Sequence, residues 1–407
     1  MQPAAGMPPL AYLDSNATTR PHERAVLAVV EALREGWGNP SSIHAFGSRV
    51  GRRLDAARET VAAAIGAEPS EVVFTSGATE ALNAAIRGAL ALGAPAGRRH
   101  VVTTRVEHPS VLGLLERLER EGACEVTRLG VAPDGRLAAG AVERALRPDT
   151  ALAAVMWANN ETGVLFPVDE IARACRARGV PFLTDATQAV GRVPVDLRRT
   201  PADLLALSGH KVHGPKGIGV LGARRGLALP PLLAGGHQER GRRAGTENVP
   251  GILGLAAALE ALAVADAARV EAEAARTAAL RDRFEAAVLG RVRDAARNGA
   301  PDARLPNTSS LRFRDVDGEA LVLELSRRGI CVSSGSACTS GSLEPSPVLL
   351  ALGLRPQEAL GSLRVSLSRE TTAAEVDRAA AAVVEAVSRL RLLAAGAPGG
   401  RARTVLE

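Results

Sequence analysis

From about residue 71 the chain alternates short apolar runs with segments of helical period. EVVFT precedes ATEALNAAIRGAL, HVVTTR precedes PSVLGLLERLER, ALAAVMW precedes VDEIARACRARG, and PFLTD leads to DLLALS and GIGVLGA. Parallel strands need a crossover long enough to hold a helix, so this alternation predicts an α/β unit with a mostly parallel sheet. Continuous apolar strands imply helices on both faces of that sheet. A long helical region follows from about 251 to 290, and GILGLAAALEALAVADAARV within it reads as one amphipathic helix. Then a different set appears, SSLRF, DGEALVLELSRRG, GSLRVSLS and AAEVDRAAAAVVEAVSRLRLL, which predicts a smaller α+β unit. There is no internal repeat, and the tail APGGRARTVLE reads as flexible.

Composition removes several classes of function. With 407 residues, 46% apolar and 23% charged, the chain has material for two large cores and is not a disordered one. The net charge of +6 is spread over helical segments, and six Phe, two Trp and one Tyr offer little to stack on bases, so nucleic acid is not an expected partner. Glu260 and Asp266 interrupt the most apolar long window, which excludes a membrane span there. Cys124, Cys175, Cys331 and Cys338 form no CxxC pair and no Cys/His metal spacing, so no metal site is expected. The start MQPAAGMPPLAYLD has neither the charged nor the apolar part of a signal peptide, and a reducing cytoplasm is the expected compartment.

Of the 50 basic side chains only Lys211 and Lys216 are lysine, both in SGHKVHGPKGIG. In a chain that uses arginine for its surface charge, the two lysines are there by chance, for tight packing against a Gly-rich turn, or because an amine must lose its proton, which a guanidinium cannot do. Ligands of parallel sheets lie beyond the carboxyl ends of the strands, and the motifs fall there. FTSGATEALN passes from strand to helix with free amides at Ala78 and Thr79, where an anion can sit. WANNETG follows a second strand, LTDATQAVG puts Asp185 and Gln188 at the end of a third, and LSGHK brings Ser208, His210 and Lys211 after a fourth. A lysine amine, an acid for a pyridine nitrogen and donors for a phosphate are the set that pyridoxal phosphate requires.

Here the sequence resembles the cysteine desulfurases, in the class V branch of fold type I pyridoxal-phosphate enzymes. YLDSNATTR, GNPSSIHAFG, SGATEALN, EHPSV, NNETG, DATQAVG, SGHKVHGPKG, RAGTEN and SSGSACTSGSLEP are similar to family motifs and follow family order over nearly the whole chain. The last resembles the nitrogen-fixation and iron-sulfur-assembly type, and the start leans towards the nitrogen-fixation form. The resemblance implies a large cofactor-binding α/β domain over 16–265 and a small domain of 1–15 with 266–407. It makes Lys211 the lysine that carries the cofactor and Asp185 the partner of the pyridine nitrogen. It gives the phosphate to Ala78, Thr79, Ser208 and His210, with Thr246 contributed by the other subunit of a homodimer. His108 would stack on the ring and move protons, Asn160 and Gln188 would contact it, and Arg364 would bind the carboxylate of L-cysteine. Cys338 would be the attacking thiol, and a sulfur-acceptor protein such as an iron-sulfur scaffold the eventual partner.

That assignment accounts for a thiol in CVSSGSACTSGSLEP, where small residues pack no core. The thiolate must reach the substrate sulfur and then leave with it as a persulfide, so Gly335, Gly341 and the serines read as selected for travel, at an entropic cost. Residues 334–342 are accordingly expected to be poorly ordered, and Cys331, after apolar Ile330, to be structural. A selenocysteine lyase or class V aminotransferase would share the fold, but an aminotransferase has no use for Cys338. A silent scaffold has no reason to keep Lys211, Asp185, Cys338 and Arg364 together.

Overall fold

The computed structural model describes residues 9–334 and 344–396. Cys338 with its glycine-serine segment, and the tail after 396, lie outside these residues. Among the described residues thirteen strands form three sheets. The largest contains β2 (Val72–Thr75), β3 (His100–Thr104), β4 (Glu125–Leu129), β5 (Thr150–Ala154), β6 (Phe182–Asp185), β7 (Leu204–Ser208) and β8 (Gly219–Ala223) in the order β2-β8-β7-β6-β5-β3-β4. Every pairing from β7 to β4 is parallel, and β8 alone runs against its neighbours β2 and β7. The turn 209–218 is shorter than the dozen or so residues that a parallel crossover needs, so β8 returns antiparallel.

Alternate residues of these strands point into two cores. Phe74, Val102, Ala153, Phe182, Leu205 and Val220 face the helices Ala45–Ile65, Val168–Ala177 and Val249–Ala261. Val73, Val101, Ala154, Leu183, Ala206 and Leu221 face the helices Ala78–Gly93 and Pro109–Arg120. The sheet is therefore apolar on both sides, as a covered parallel sheet must be.

The second sheet, in the order β12-β13-β10-β9, is antiparallel and made of β9 (Ala295–Arg297), β10 (Thr308–Phe313), β12 (Ser333–Ser334) and β13 (Ser362–Ser366). Helices Ala267–Leu289, Gly318–Ser326 and Ala373–Gly396 cover it through Phe284, Leu321, Val376 and Val383. The chain start joins this part: β1 (Ala11–Tyr12) pairs with β11 (Ile330–Cys331), and Ala11 and Leu13 are fully buried in its core. The reading of the window 251–270 as one amphipathic helix is corrected, while the region 251–290 is helical as expected. It is two helices, Val249–Ala261 and Ala267–Leu289, separated where Ala263 turns to φ 50° and the Asp266 side chain caps the second by accepting from Arg269 N–H. The first is buried on most of its surface rather than on one stripe, since it lies between the sheet and the helix Glu23–Glu35.

Candidate active site

The carboxyl ends of β2, β6 and β7 open onto one cleft of about 590 Å³. Ala78, Thr79, His108, Asn160, Asp185, Gln188, Ser208, His210, Lys211 and Arg364 all line it. Lys216 lines it too, at an exposed position. Thr246 does not. It is exposed beside a separate hollow with Gly245 and Asn248, which shares Ser76 and Gly217 with the cleft. His44 has a structural place: it caps the helix Ala45–Ile65 by accepting from Gly47 N–H.

At the β2 end, the helix Ala78–Gly93 starts from Gly77 with no capping side chain, so its first-turn amides face the cleft without a protein acceptor of that kind. Its first-turn acid, Glu80, also lines the cleft but is tied down. Glu80 accepts from Ser76 N–H at 2.7 Å and from Arg243 Nε at 2.9 Å. Burial works against ionisation of Glu80, but these two donors hold its carboxyl below the ordinary range. The approach of this turn to β8 depends on Gly219, where a Cβ would stand 2.5 Å from Gly77 Cα.

At the β7 end, the turn Gly209–Lys211 is seated on the N-terminal motif. Lys211 Nζ donates to the carbonyls of Asn16 (2.5 Å) and Ala17 (2.6 Å), and Thr19 Oγ1 donates to the His210 carbonyl at 2.9 Å. His210 Nδ1 lies 3.1 Å from Thr18 Oγ1. Burial first, then Lys211 and Lys216, push His210 down to about 4, so it is a neutral ring at pH 7. His108 caps the helix Pro109–Arg120, its Nδ1 accepting from Ser110 N–H at 3.1 Å. With Nδ1 an acceptor, the proton of the neutral ring sits on Nε2. Burial lowers the His108 pKa, opposed by Asp185 and assisted by Lys211. Asp185 is fixed at the β6 end by accepting from Thr187 N–H at 3.0 Å.

The small sheet contributes Arg364 from β13. Its Nη1 donates to the Asn160 carbonyl at 3.1 Å, and its Nη2 to Asp14 Oδ1 at 2.8 Å and Ser333 Oγ at 3.0 Å. Among the described residues its buried Nε has no partner, an orphan donor suited to a carboxylate oxygen. Several residues here escape strand-end reasoning. Asp14 and Asn16 line the cleft, and Asn16 Nδ2 ties the Asn160 carbonyl (3.1 Å) to Thr308 Oγ1 (2.9 Å). Glu107 is buried under the cleft, where its two carboxyl oxygens accept from Met156 N–H at 3.1 Å and burial pushes it up to about 8. Glu161 is pushed up to about 7 by burial, and accepts from Ser346 Oγ. All four lie inside motifs of the sequence, Asp14 and Asn16 in YLDSNATTR, Glu107 in EHPSV and Glu161 in NNETG, but no local signal singles them out.

Among the described residues, the uncapped helix start, the orphan Nε of Arg364 and the partnerless buried hydroxyl of Thr187 are unfilled bonding capacity in the cleft that holds Lys211 and Asp185. Pyridoxal phosphate with an amino-acid substrate fits that capacity. The sequence matches the aminotransferase class-V family over residues 11–379. It is 50% identical over 384 residues to a cysteine desulfurase of Trichormus azollae, covering 94% of each chain. It is also 50% identical to the cysteine desulfurase NifS of Azotobacter vinelandii, covering 93% of each. The chain belongs to the cysteine desulfurase family. Among solved structures, a NifS-like protein superposes with a TM-score of 0.86 at 34% identity, over 94% of this chain and 100% of that one. A second, SspA in complex with cysteine, superposes with a TM-score of 0.76 at 34% identity, over 89% and 99%. The family depends on pyridoxal phosphate, so this desulfurase does too. Among its described residues no helix is long and apolar enough to cross a membrane.

Proposed function

We propose that this desulfurase converts L-cysteine to L-alanine and passes the sulfur to Cys338 as a persulfide, for transfer to an acceptor protein of iron-sulfur assembly or another sulfur pathway. The observation that carries the reading is that Lys211, Asp185, the uncapped helix at Ala78 and the orphan Nε of Arg364 face one cleft. Lys211 would bear the cofactor, Asp185 would meet its pyridine nitrogen, and Ala78, Thr79, Ser208 and His210 would hold its phosphate. Asn160 and Gln188 would flank the ring, and His108 would stack on it. When bound, the group withdraws electrons from the substrate Cα. Arg364 offers its Nε to the substrate carboxylate, and Asp14 and Ser333, which take both N–H groups of Nη2, keep that guanidinium in place beforehand. The amine of Lys211, placed at the cleft by its bonds to Asn16 and Ala17, would take the Cα proton at Nζ. His108, with its proton on Nε2, carries a proton between the substrate sulfur and the attacking thiol. The Cys338 thiolate bonds to the substrate sulfur as the carbon-sulfur bond breaks, and protons return to carbon, so cysteine and one thiol become alanine and one persulfide.

The other thiols support Cys338 by contrast. Burial pushes Cys124 up to about 11 and Cys175 up to about 12, and burial with Asp14 raises Cys331, so these are poor nucleophiles. Three free cysteines also agree with a cytoplasmic location. Pairing of β1 with β11 supports a small domain of 1–15 with 266–407 beside a large one of 16–265. The decisive experiment treats the wild type with cysteine and maps added sulfur by peptide mass spectrometry. Persulfide is expected on Cys338, and Cys338→Ser should still bind cysteine, seen as a change in cofactor absorbance, while releasing almost no alanine. Persulfide on Cys331, Cys124 or Cys175 instead would overturn the reading.

A further inference from the structure

Arg192 lies in the turn after β6, behind the cleft rather than among its lining residues. Its Nη1 donates to the Gln188 carbonyl (2.9 Å) and to Gln188 Oε1 (2.8 Å), and its Nη2 to the carbonyls of Ser15 (3.1 Å) and Lys211 (3.4 Å). Among the described residues no carboxylate forms an ion pair with it. A guanidinium has donors only, so Gln188 must turn Oε1 towards it and Nε2 away. That Nε2 donates to the Asn16 carbonyl at 3.0 Å, the same oxygen that accepts from Lys211 Nζ. Gln188 itself lines the cleft.

Burial first, and Arg364 second, push Arg192 down to about 10, which leaves it a cation at neutral pH. Desolvating a charge against neutral carbonyls alone is costly, and a neutral side chain could tie the same turns together. The retained charge therefore has another use. The charged and titratable groups around it are Lys211, His210 and His213 on the turn after β7, Arg364 on β13, and Glu273 and Arg369 across a small cavity on its far side.

We propose that Arg192 is a positioning residue of the cofactor site: it locks Gln188 with its amide nitrogen towards the cleft, and it sets a fixed positive charge behind Lys211 that favours the unprotonated lysine nitrogen. The proposal rests on Lys211 being the lysine that carries the cofactor.

The test is a pH titration of the visible absorbance of the cofactor-loaded protein, with cofactor dissociation measured alongside. Arg192→Met is expected to move the midpoint upward by about one pH unit, the worth of a unit charge nearby at an effective dielectric near 20. Arg192→Lys keeps the charge but loses the fan of donors on Gln188, so its midpoint should stay near the wild-type value while cofactor leaves faster. A methionine variant that keeps its cofactor and titrates at the wild-type pH overturns the proposal, as does a lysine variant displaced as far as the methionine one. Should Arg192→Met not fold, Arg192→Lys decides: an unchanged midpoint supports the charge, and an upward shift of a whole unit overturns it. Loss of the visible band in Lys211→Ala tests the underlying assignment separately: retention of the band there would sink that assignment and the role of Arg192 with it, whereas an Arg192→Met variant that titrates at the wild-type pH sinks the role of Arg192 alone.

Discussion

Lys211 and Lys216 both line the cleft, but their surroundings differ. The Lys211 amine is held against two backbone carbonyls of the N-terminal motif, whereas Lys216 is an exposed charge beside the helix start. Lys211→Ala is therefore expected to abolish visible absorbance from bound cofactor. Lys216→Ala should keep it and release cofactor no more than about five-fold faster, as expected for one exposed charge. Spectra of the two purified variants decide this, and loss of the band in Lys216→Ala alone would reverse the assignment. Lysine was legible because it is rare here: its letter carries information in a chain whose surface charge is arginine. Arg192 and Arg364 carry none by letter, since the same residue type serves dozens of solvated positions; Arg364 is found through its motif, and Arg192 only through its partners. Asp14 and Asn16 are conspicuous in YLDSNATTR, yet nothing local says that β1 pairs with β11 and so carries them to the cleft.

The elements were legible in proportion to how locally their burial is written. PSVLGLLERLER is the helix Pro109–Arg120 because its apolar positions recur at helical spacing after a proline start. The break at Ala263 was not legible, because alanine gives no sign of a positive φ. The turn that leads to Thr246 shows a different kind of hidden determinant. Glu239 and Arg240 both adopt left-handed backbone, with φ of 49° and 58°. What holds them is a buried pair: Arg58 Nη1 and Nη2 reach the Glu239 carboxylate at 2.7 Å each, and Phe74 N–H adds a bond at 3.0 Å. Arg58 also lies 4.7 Å from the Phe74 ring centroid. Removing one partner leaves a buried charge without compensation, so Arg58→Ala should lower unfolding stability by about 3–5 kcal/mol. The double variant Arg58→Met with Glu239→Leu should recover part of that loss. Denaturant unfolding of the three proteins measures it, and a loss below about 1 kcal/mol in Arg58→Ala would show that the pair is not what fixes the turn.

At the scale of the molecule, the single chain leaves two things unpartnered. Thr246 stands outside its own cleft, and the segment around the helix Glu23–Glu35 exposes Leu27 (58%), Leu33 (62%), Trp37 (74%) and Ile43 (100%). Apolar side chains clustered at such exposure mark an interface rather than a solvated face. A homodimer would cover them and, as the family resemblance implies, bring Thr246 to the partner's phosphate. Subunit mixing separates that arrangement from a dimer whose sites are independent. Lys211→Ala subunits lack the essential amine but keep Thr246, while Thr246→Ala subunits keep the amine and lack the hydroxyl. If Thr246 acts across the interface, a mixed dimer of the two single variants has one intact site and should show roughly half the wild-type activity at limiting cofactor. Pairing wild type with a chain that carries both substitutions should then do worse, because its one live lysine faces the altered partner. The opposite ranking would place Thr246 in its own subunit's site. A monomer with full activity in light scattering would remove the premise altogether.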